Sequence, residues 1–334
     1  MRSVDRRISD DTSSDAEESA FSFSEGSRTG LARMSRRFVT LDVFTSQRFA
    51  GNPLAVVLEA EGLDTDGMQA IAKEFNLSET VFVLPPSEPR QRADIRIFTP
   101  ARELPFAGHP TVGTAVLLAL LDRNGQAGAV AFGLKEQVGI VPCAVEIENA
   151  AGGTARFRLP RLPFVWGEGK ESADCAWALG LDPKEIGFGQ HVPSRHSAGV
   201  AYDLVPVSSL EALVRSKPHG EAFDKAFGDS DHPSAYVYAR VPGAEGLRFR
   251  ARMYGPGMGI AEDPATGSAA AAFAGALMQC EPLGDGEHNI VIEQGVEMGR
   301  PSEIMLQMII KSGALVSAEI GGQAVMVSRG EILS

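Results

Sequence analysis

The chain has 334 residues, 44% of them hydrophobic and 7% aromatic, with a formal net charge of −12. That length makes two domains the default and supports a large core of small side chains, and an acidic balance with no Lys/Arg cluster excludes nucleic acid and anionic lipid as main partners. Three cysteines without CxxC spacing argue against a disulfide framework or a zinc site, and no run reaches the roughly 18 apolar residues of a membrane helix, so a soluble, cytoplasmic protein that binds no membrane is expected.

Residues 1–36 are rich in Ser, Asp, Glu and Arg, without an apolar period or the apolar core of a signal peptide, and are expected to be a disordered polar tail. Met34 directly precedes the first strand-like run, which makes residues 1–33 a candidate artefact of an upstream start codon. The ordered chain opens with RFVTLDVFTS as a strand, FAGNP as a turn and LAVVLEA as a second strand. Asp64 or Thr65 caps a helix whose apolar stripe is Met68, Ile71, Ala72 and Phe75, and Asn76 offers a left-handed stop. TVFVLPP and ADIRIFTP read as strands, Pro110 to Leu121 as an apolar helix, and GIVPCAVEIE and ARFRLPRLPF as strands leading to the linker WGEGKES.

A second round follows, with helical stretches at Cys175 to Leu179 and Leu210 to Arg215. The strands here are GVAYDLVPV, SAYVYAR, LRFRARMYGP, NIVIEQG, EIMLQMII and AVMVSRGEIL, with an apolar helix from Ser268 to Leu277 among them. IFTP (97–100) and MYGP (253–256) end corresponding strands, and HPTVGTA (109–115) and DPATGSA (263–269) then begin corresponding helices at nearly the same separation. Two ordered matches indicate an internal duplication. The expected domains are residues 37–165 and 166–334, with the final strand packing on the first.

In each copy an ionisable residue precedes Pro, and Gly, a hydroxyl and Ala follow. Pro110 and Pro264 are expected at the first helical position. Gly113 and Gly267 would let a ligand approach N–H groups that lack intrahelical acceptors, with Thr114 and Ser268 adding hydroxyl donors. Taken singly, either start is as well explained by tight helix packing; it is the repetition that favours a ligand. A small anion held between the halves is the resulting expectation.

The segments DVFTSQRFAGNPLAVV (42–57), NLSETVFV (76–83), FTPARELPFAGHPTVGTA (98–115) and EDPATGSAAAA (262–272) resemble the phenazine-biosynthesis PhzF-like family of the diaminopimelate-epimerase-like fold. The resemblance covers essentially residues 37–334. It implies an α/β architecture of two similar domains, each a curved, mostly antiparallel sheet around one central apolar helix, with the active site in the cleft between them. It further implies an isomerase that needs no cofactor or metal, in which Glu79 of the S-E-T segment is the acid/base and His109 and Asp263 are the other ionisable site residues. Gly108, Gly267 and Ser268 match positions that bind the substrate carboxylate. The best-known activity of the family is isomerisation of trans-2,3-dihydro-3-hydroxyanthranilate, and its members are often homodimers. Asn52 lies in a family segment but reads as turn-forming.

Neither helix start carries a cysteine, which argues against the two-thiol racemases of this fold. The alternatives are an isomerase of another small amino or hydroxy acid using the same Glu79, and a non-catalytic small-anion-binding protein. A nucleotide site is disfavoured, since GPGMGIAED supplies glycines but neither GxGxxG nor GxxxxGK[ST] occurs.

Overall fold

Alternation of apolar and polar residues governs most of the chain, and strands dominate accordingly. The computed structural model describes residues 35–333; the expected tail falls outside the described residues except for Ser35 and Arg36, which already belong to the first strand. β1 (Ser35–Val43) and β2 (Asn52–Val57) pair antiparallel, and α1 (Thr65–Phe75) returns the chain so that β3 (Glu79–Leu84) lies parallel to β2. Asp64 caps α1 by accepting from the Gly67 N–H, and Asn76 ends it in the left-handed region at φ 51°. β4 (Gln91–Phe98) runs antiparallel to β3, and β5 (Glu103–Leu104) folds back on it. After α2 (Gly108–Asp122), β6 (Gly128–Glu136) lies parallel to β4, and β7 (Gly139–Asn149) and β8 (Gly152–Arg158) continue as a meander.

The second round repeats this succession of pairings. β9 (Phe164–Gly167), α3 (Ser172–Leu179) and β10 (Ser194–Ser197) come first, β9 pairing with β10. Trp166 and Gly167 of the expected linker are therefore strand residues. β11 (Ala201–Pro206) is antiparallel to β10, and α4 (Leu210–Arg215) and α5 (Gly220–Phe227) lead to β12 (Ala235–Arg240), parallel to β11. β13 (Leu247–Gly255) is antiparallel to β12, and β14 (Ile260–Asp263) folds back on it. α6 (Gly267–Cys280) then precedes β15 (Gly286–Gln294), parallel to β13, and β16 (Ser302–Lys311). The last strand, β17 (Ala314–Leu333), pairs with β16 through its first part and with both β8 and β1 through the rest.

α2 and α6 occupy corresponding places in the two rounds. Every residue of α2 from Gly108 to Leu120 is buried, as is α6 from Ala269 to Leu277. A helix apolar on all sides must be enclosed by other elements. The inward side chains of the surrounding strands, such as Leu41, Leu54, Ile320 and Leu306, supply that enclosure in one continuous core, each contributing about 1.5–3 kcal/mol by leaving water. Small side chains let the strands come close: a Cβ at Gly275 would sit 2.4 Å from the His196 ring. No helix among the described residues is long and apolar enough to cross a membrane.

The structural correspondence corrects the match read from sequence. α2 begins at Gly108 and α6 at Gly267, so Pro110 is the third residue of its helix while Pro264 lies before its helix. Asp263 is held as the last residue of β14, opposite Met253, and the chain needs Pro264 to Thr266 to turn into α6. Gly113 is accordingly in the second turn of α2. A Cβ there would lie 2.6 Å from Leu54 Cδ2 and 2.7 Å from Val43 Cγ2, so its missing side chain admits β1 and β2 rather than a ligand. Thr114, its neighbour, is fully buried beside it.

Candidate active site

Gly108 and Gly267 open their helices and face each other. A Cβ on Gly108 would lie 3.2 Å from Gly267 Cα, and a Cβ on Gly267 would lie 3.4 Å from Gly108 Cα. A side chain at Gly108 would press on the Gly267 backbone, and one at Gly267 would just touch the Gly108 backbone in return. Neither start has a side-chain cap, so at the point where the two starts meet the first N–H groups of α2 and α6 lack side-chain acceptors and carry partial positive charge.

The ionisable side chains named from the sequence gather around that point. Glu79 opens β3, His109 is the second residue of α2, and Asp263 closes β14. Glu79 Oε2 lies 3.3 Å from His109 Nε2, with the two side chains 16% and 5% exposed. The contact is close but not aligned as a hydrogen bond, and both atoms are otherwise shut away without a partner. Ser268, the second residue of α6, shares a 2.7 Å hydrogen bond with the Tyr202 hydroxyl.

Sequence reasoning missed the groups that hold this set together. Asn52, the first residue of β2, is fully buried. Its Nδ2 donates to Asp263 Oδ1 at 3.0 Å and to the Ala265 carbonyl at 2.9 Å, and lies 3.4 Å from His109 Nδ1. Thr266 Oγ1 donates to Asp263 Oδ2 at 2.5 Å, and Gln294 Nε2 donates to the Asp263 carbonyl at 2.8 Å and to Thr266 Oγ1 at 3.0 Å. The only signal for Asn52 was its place in a quoted segment; Gln294 and Tyr202 lie in strands that look purely structural.

Burial sets the protonation states. Glu79 is pushed up to about 8 by burial, and the charge of Asp263 adds to the shift. Burial also raises Asp263, to about 6, against hydrogen bonds from Thr266, Asn52 and Ser78 that favour its charged form. His109 is driven down to about 3 by burial and is neutral. Near pH 7 the site therefore combines an ionised Asp263, a neutral imidazole, and a Glu79 poised to lose or take a proton.

No group of three or more His, Cys, Asp and Glu side chains among the described residues has metal-binding geometry. All three cysteines are free: Cys143 lies on β7, Cys175 on α3 and Cys280 at the end of α6, so none stands at a helix start. A surface cavity lined by Ser46, Arg48, Glu148, Asn149 and Gln323 includes none of these groups.

The chain matches the phenazine biosynthesis-like protein family over residues 41–330. An uncharacterized isomerase of Mesorhizobium japonicum is 49% identical over 301 residues, spanning 89% of this chain and 99% of that protein. The trans-2,3-dihydro-3-hydroxyanthranilate isomerase of Pseudomonas chlororaphis is 35% identical over 302 residues, again 89% of this chain and 99% of the relative. Among solved structures, a PhzF-family phenazine biosynthesis protein of Bacillus anthracis superposes with a TM-score of 0.78 at 27% identity, covering 90% of this chain and 99% of the other.

Proposed function

The chain belongs to the phenazine biosynthesis-like protein family and is an isomerase of that kind, and we propose that Glu79 is its acid/base, acting on trans-2,3-dihydro-3-hydroxyanthranilate. The observation that carries this reading is the state of Glu79. Its carboxyl is raised to about 8 by burial, and its shut-away Oε2 stands 3.3 Å from Nε2 of His109, the second residue of α2. A group that both removes and returns one proton must be comparably stable in its two forms near working pH, and this one is.

In the reaction the substrate carboxylate lies against the N–H groups at Gly108, Gly267 and Ser268, where the helix ends favour negative charge. The Glu79 carboxylate takes a proton from one ring carbon. The electron pair left behind moves through the conjugated system, and the protonated Glu79 returns the proton to another carbon on the same face. No atom is gained or lost overall. The same N–H groups stabilise the negative charge that develops during transfer. His109 and Asp263 hold the substrate's remaining polar groups. The protein is further proposed to act as a cytoplasmic homodimer.

The test is proton NMR of the purified protein with trans-2,3-dihydro-3-hydroxyanthranilate in D2O. Turnover is expected, with the migrating hydrogen retained where Glu79 returns it directly and deuterium at the new C–H position where protonated Glu79 exchanges with solvent first. Glu79→Gln should lower kcat by about 10²–10⁴-fold, the range for loss of a positioned acid/base, while the ligand still binds. Full activity in that variant would remove Glu79 from its role. If the substrate stays unchanged while other small amino or hydroxy acids exchange deuterium, the chemistry stands and the substrate assignment falls.

A further inference from the structure

We propose that Asn52 is a positioning residue that fixes His109 as the Nε2–H tautomer facing Glu79 and ties Asp263 of the second round to the machinery of the first. The inference rests on the proposed role of Glu79 only for its effect on turnover; the geometry stands apart from it.

An amide nitrogen has two protons to give. Asn52 Nδ2 has two partners that can only accept at this point, the Ala265 carbonyl and Asp263 Oδ1, at 2.9 and 3.0 Å. They fix which end of the amide is nitrogen and engage both of its protons. His109 Nδ1 faces the same nitrogen at 3.4 Å. A proton on Nδ1 would point into an NH2 group, so Nδ1 must be the bare nitrogen. Burial keeps the imidazole neutral, and its one proton therefore resides on Nε2, 3.3 Å from Glu79 Oε2. Setting one ring nitrogen through the partner of the other is the usual way a protein selects a histidine tautomer.

The consequence for the reaction is directional. With the proton on Nε2, His109 turns a donor toward Glu79 Oε2 at 3.3 Å, unaligned as a hydrogen bond here and open to a substrate oxygen beside it. With the proton on Nδ1, it would present a lone pair to the carboxylate and oppose its ionisation. Through the same amide, Asn52 favours the charged form of Asp263, together with Thr266 and Ser78. The charged or titratable groups facing Asp263 are Glu79 on β3, Tyr202 on β11, Tyr236 on β12 and its own neighbour Glu262. Asn52 thus joins His109, 57 positions along the chain, to Asp263, 211 positions along it. It holds a carboxylate and an imidazole in one register.

The test uses the full chain with ¹⁵N-labelled histidine and ¹³C-labelled carboxyl groups, and needs no substrate. The wild-type protein should show the His109 ring, identified by its loss in His109→Gln, as the Nε2–H tautomer. In Asn52→Leu that signal should shift toward Nδ1–H or a mixture, and the Asp263 titration midpoint should rise from about 6. In the isomerisation assay kcat should fall on the order of 10²-fold, as for a displaced catalytic group, with KM changed less. A wild-type ring protonated on Nδ1 overturns the proposal whatever the variants do. So does a folded Asn52→Leu protein whose ring signal and Asp263 midpoint are unmoved, even if activity is lost. Should Asn52→Leu fail to fold, Asn52→Asp replaces it: its carboxylate accepts a proton from Nδ1, and an unchanged Nε2–H signal there is equally fatal. The NMR result with no turnover of trans-2,3-dihydro-3-hydroxyanthranilate supports Asn52 and counts only against the substrate.

Discussion

Glu79 and Asp263 are both carboxylic acids, yet one is raised to about 8 and the other to about 6. The difference is environmental. Asp263 accepts hydrogen bonds from Asn52 and Thr266, whereas Glu79 Oε2 has no hydrogen-bond partner. The shift of Glu79 has burial as its larger cause and the charge of Asp263 as its smaller one. If the carboxylate of Glu79 begins the reaction, kcat/KM follows its ionised fraction and climbs with pH through about 8, the free-enzyme value. Asp263→Asn removes the like charge and should move this midpoint to lower pH, on the order of one unit. A pH profile of kcat/KM for both proteins measures it. An unmoved or higher midpoint in the variant would mean that Asp263 does not sense Glu79.

At the scale of elements, two glycines of α2 have opposite functions. Gly108 lets the helix start meet Gly267, and Gly113 lets the helix body meet Leu54 and Val43. In Gly108→Ala the new Cβ would press on backbone at 3.2 Å. The two helix ends must separate by tenths of an ångström, so kcat/KM should drop about tenfold or more with little change in Tm. In Gly113→Ala the gain in helix propensity, about 1 kcal/mol, competes with overpacking of about 1–3 kcal/mol. Tm should fall while kcat/KM holds. Tm and kinetics of the pair decide it, and equal losses of activity would return Gly113 to the ligand site.

This contrast also marks what could be read from residues alone. α2 and α6 were legible because runs free of polar residues can only be enclosed, and α1 because Asp64 and Asn76 punctuate an apolar stripe. β6, β9, β10 and α5 escaped: two are four-residue strands, and β6 exposes Ala129 and Ala131. The repeat was visible in HPTVGTA and DPATGSA, but its register was not. Asp-Pro and His-Pro look alike as helix starts, and only the pairing of β14 with β13 removes Pro264 from α6. Asn52 escaped for a similar reason. Its partners come from α2, β14 and the turn before α6, and no local pattern announces them.

Across the whole molecule, several acids are raised by burial, and this shapes its response to pH. Burial raises Glu79 and Glu136 to about 8, Asp203 to about 7 and Asp263 to about 6. A carboxyl raised in the folded state contributes stability that is complete below its unfolded value near 4.5 and is lost as pH rises through the folded value. Partly exposed ion-paired acids act in the other direction: Glu103 beside Arg96 and Asp229 beside Lys170 are lowered, and their contribution is lost as pH falls. The two sets together place maximal stability in the mildly acidic range. Glu136 isolates the alkaline side, because Glu79 and Asp263 are not among the causes of its shift and its contact is with α2, meeting Thr111 Oγ1 at 2.7 Å while its Oε2 is buried unpartnered. Gln cannot ionise but keeps the shape and a hydrogen-bonding group. Glu136→Gln should therefore match the wild-type Tm near pH 5 and exceed it by several degrees near pH 9. The underlying difference is on the order of a few kcal/mol, from a shift of this size at 1.36 kcal/mol per unit. Thermal unfolding of both proteins across that interval reads it. A Tm difference that does not change with pH would mean that Glu136 ionises as readily in the folded chain as in the unfolded one, and that the buried acids do not set the alkaline limit.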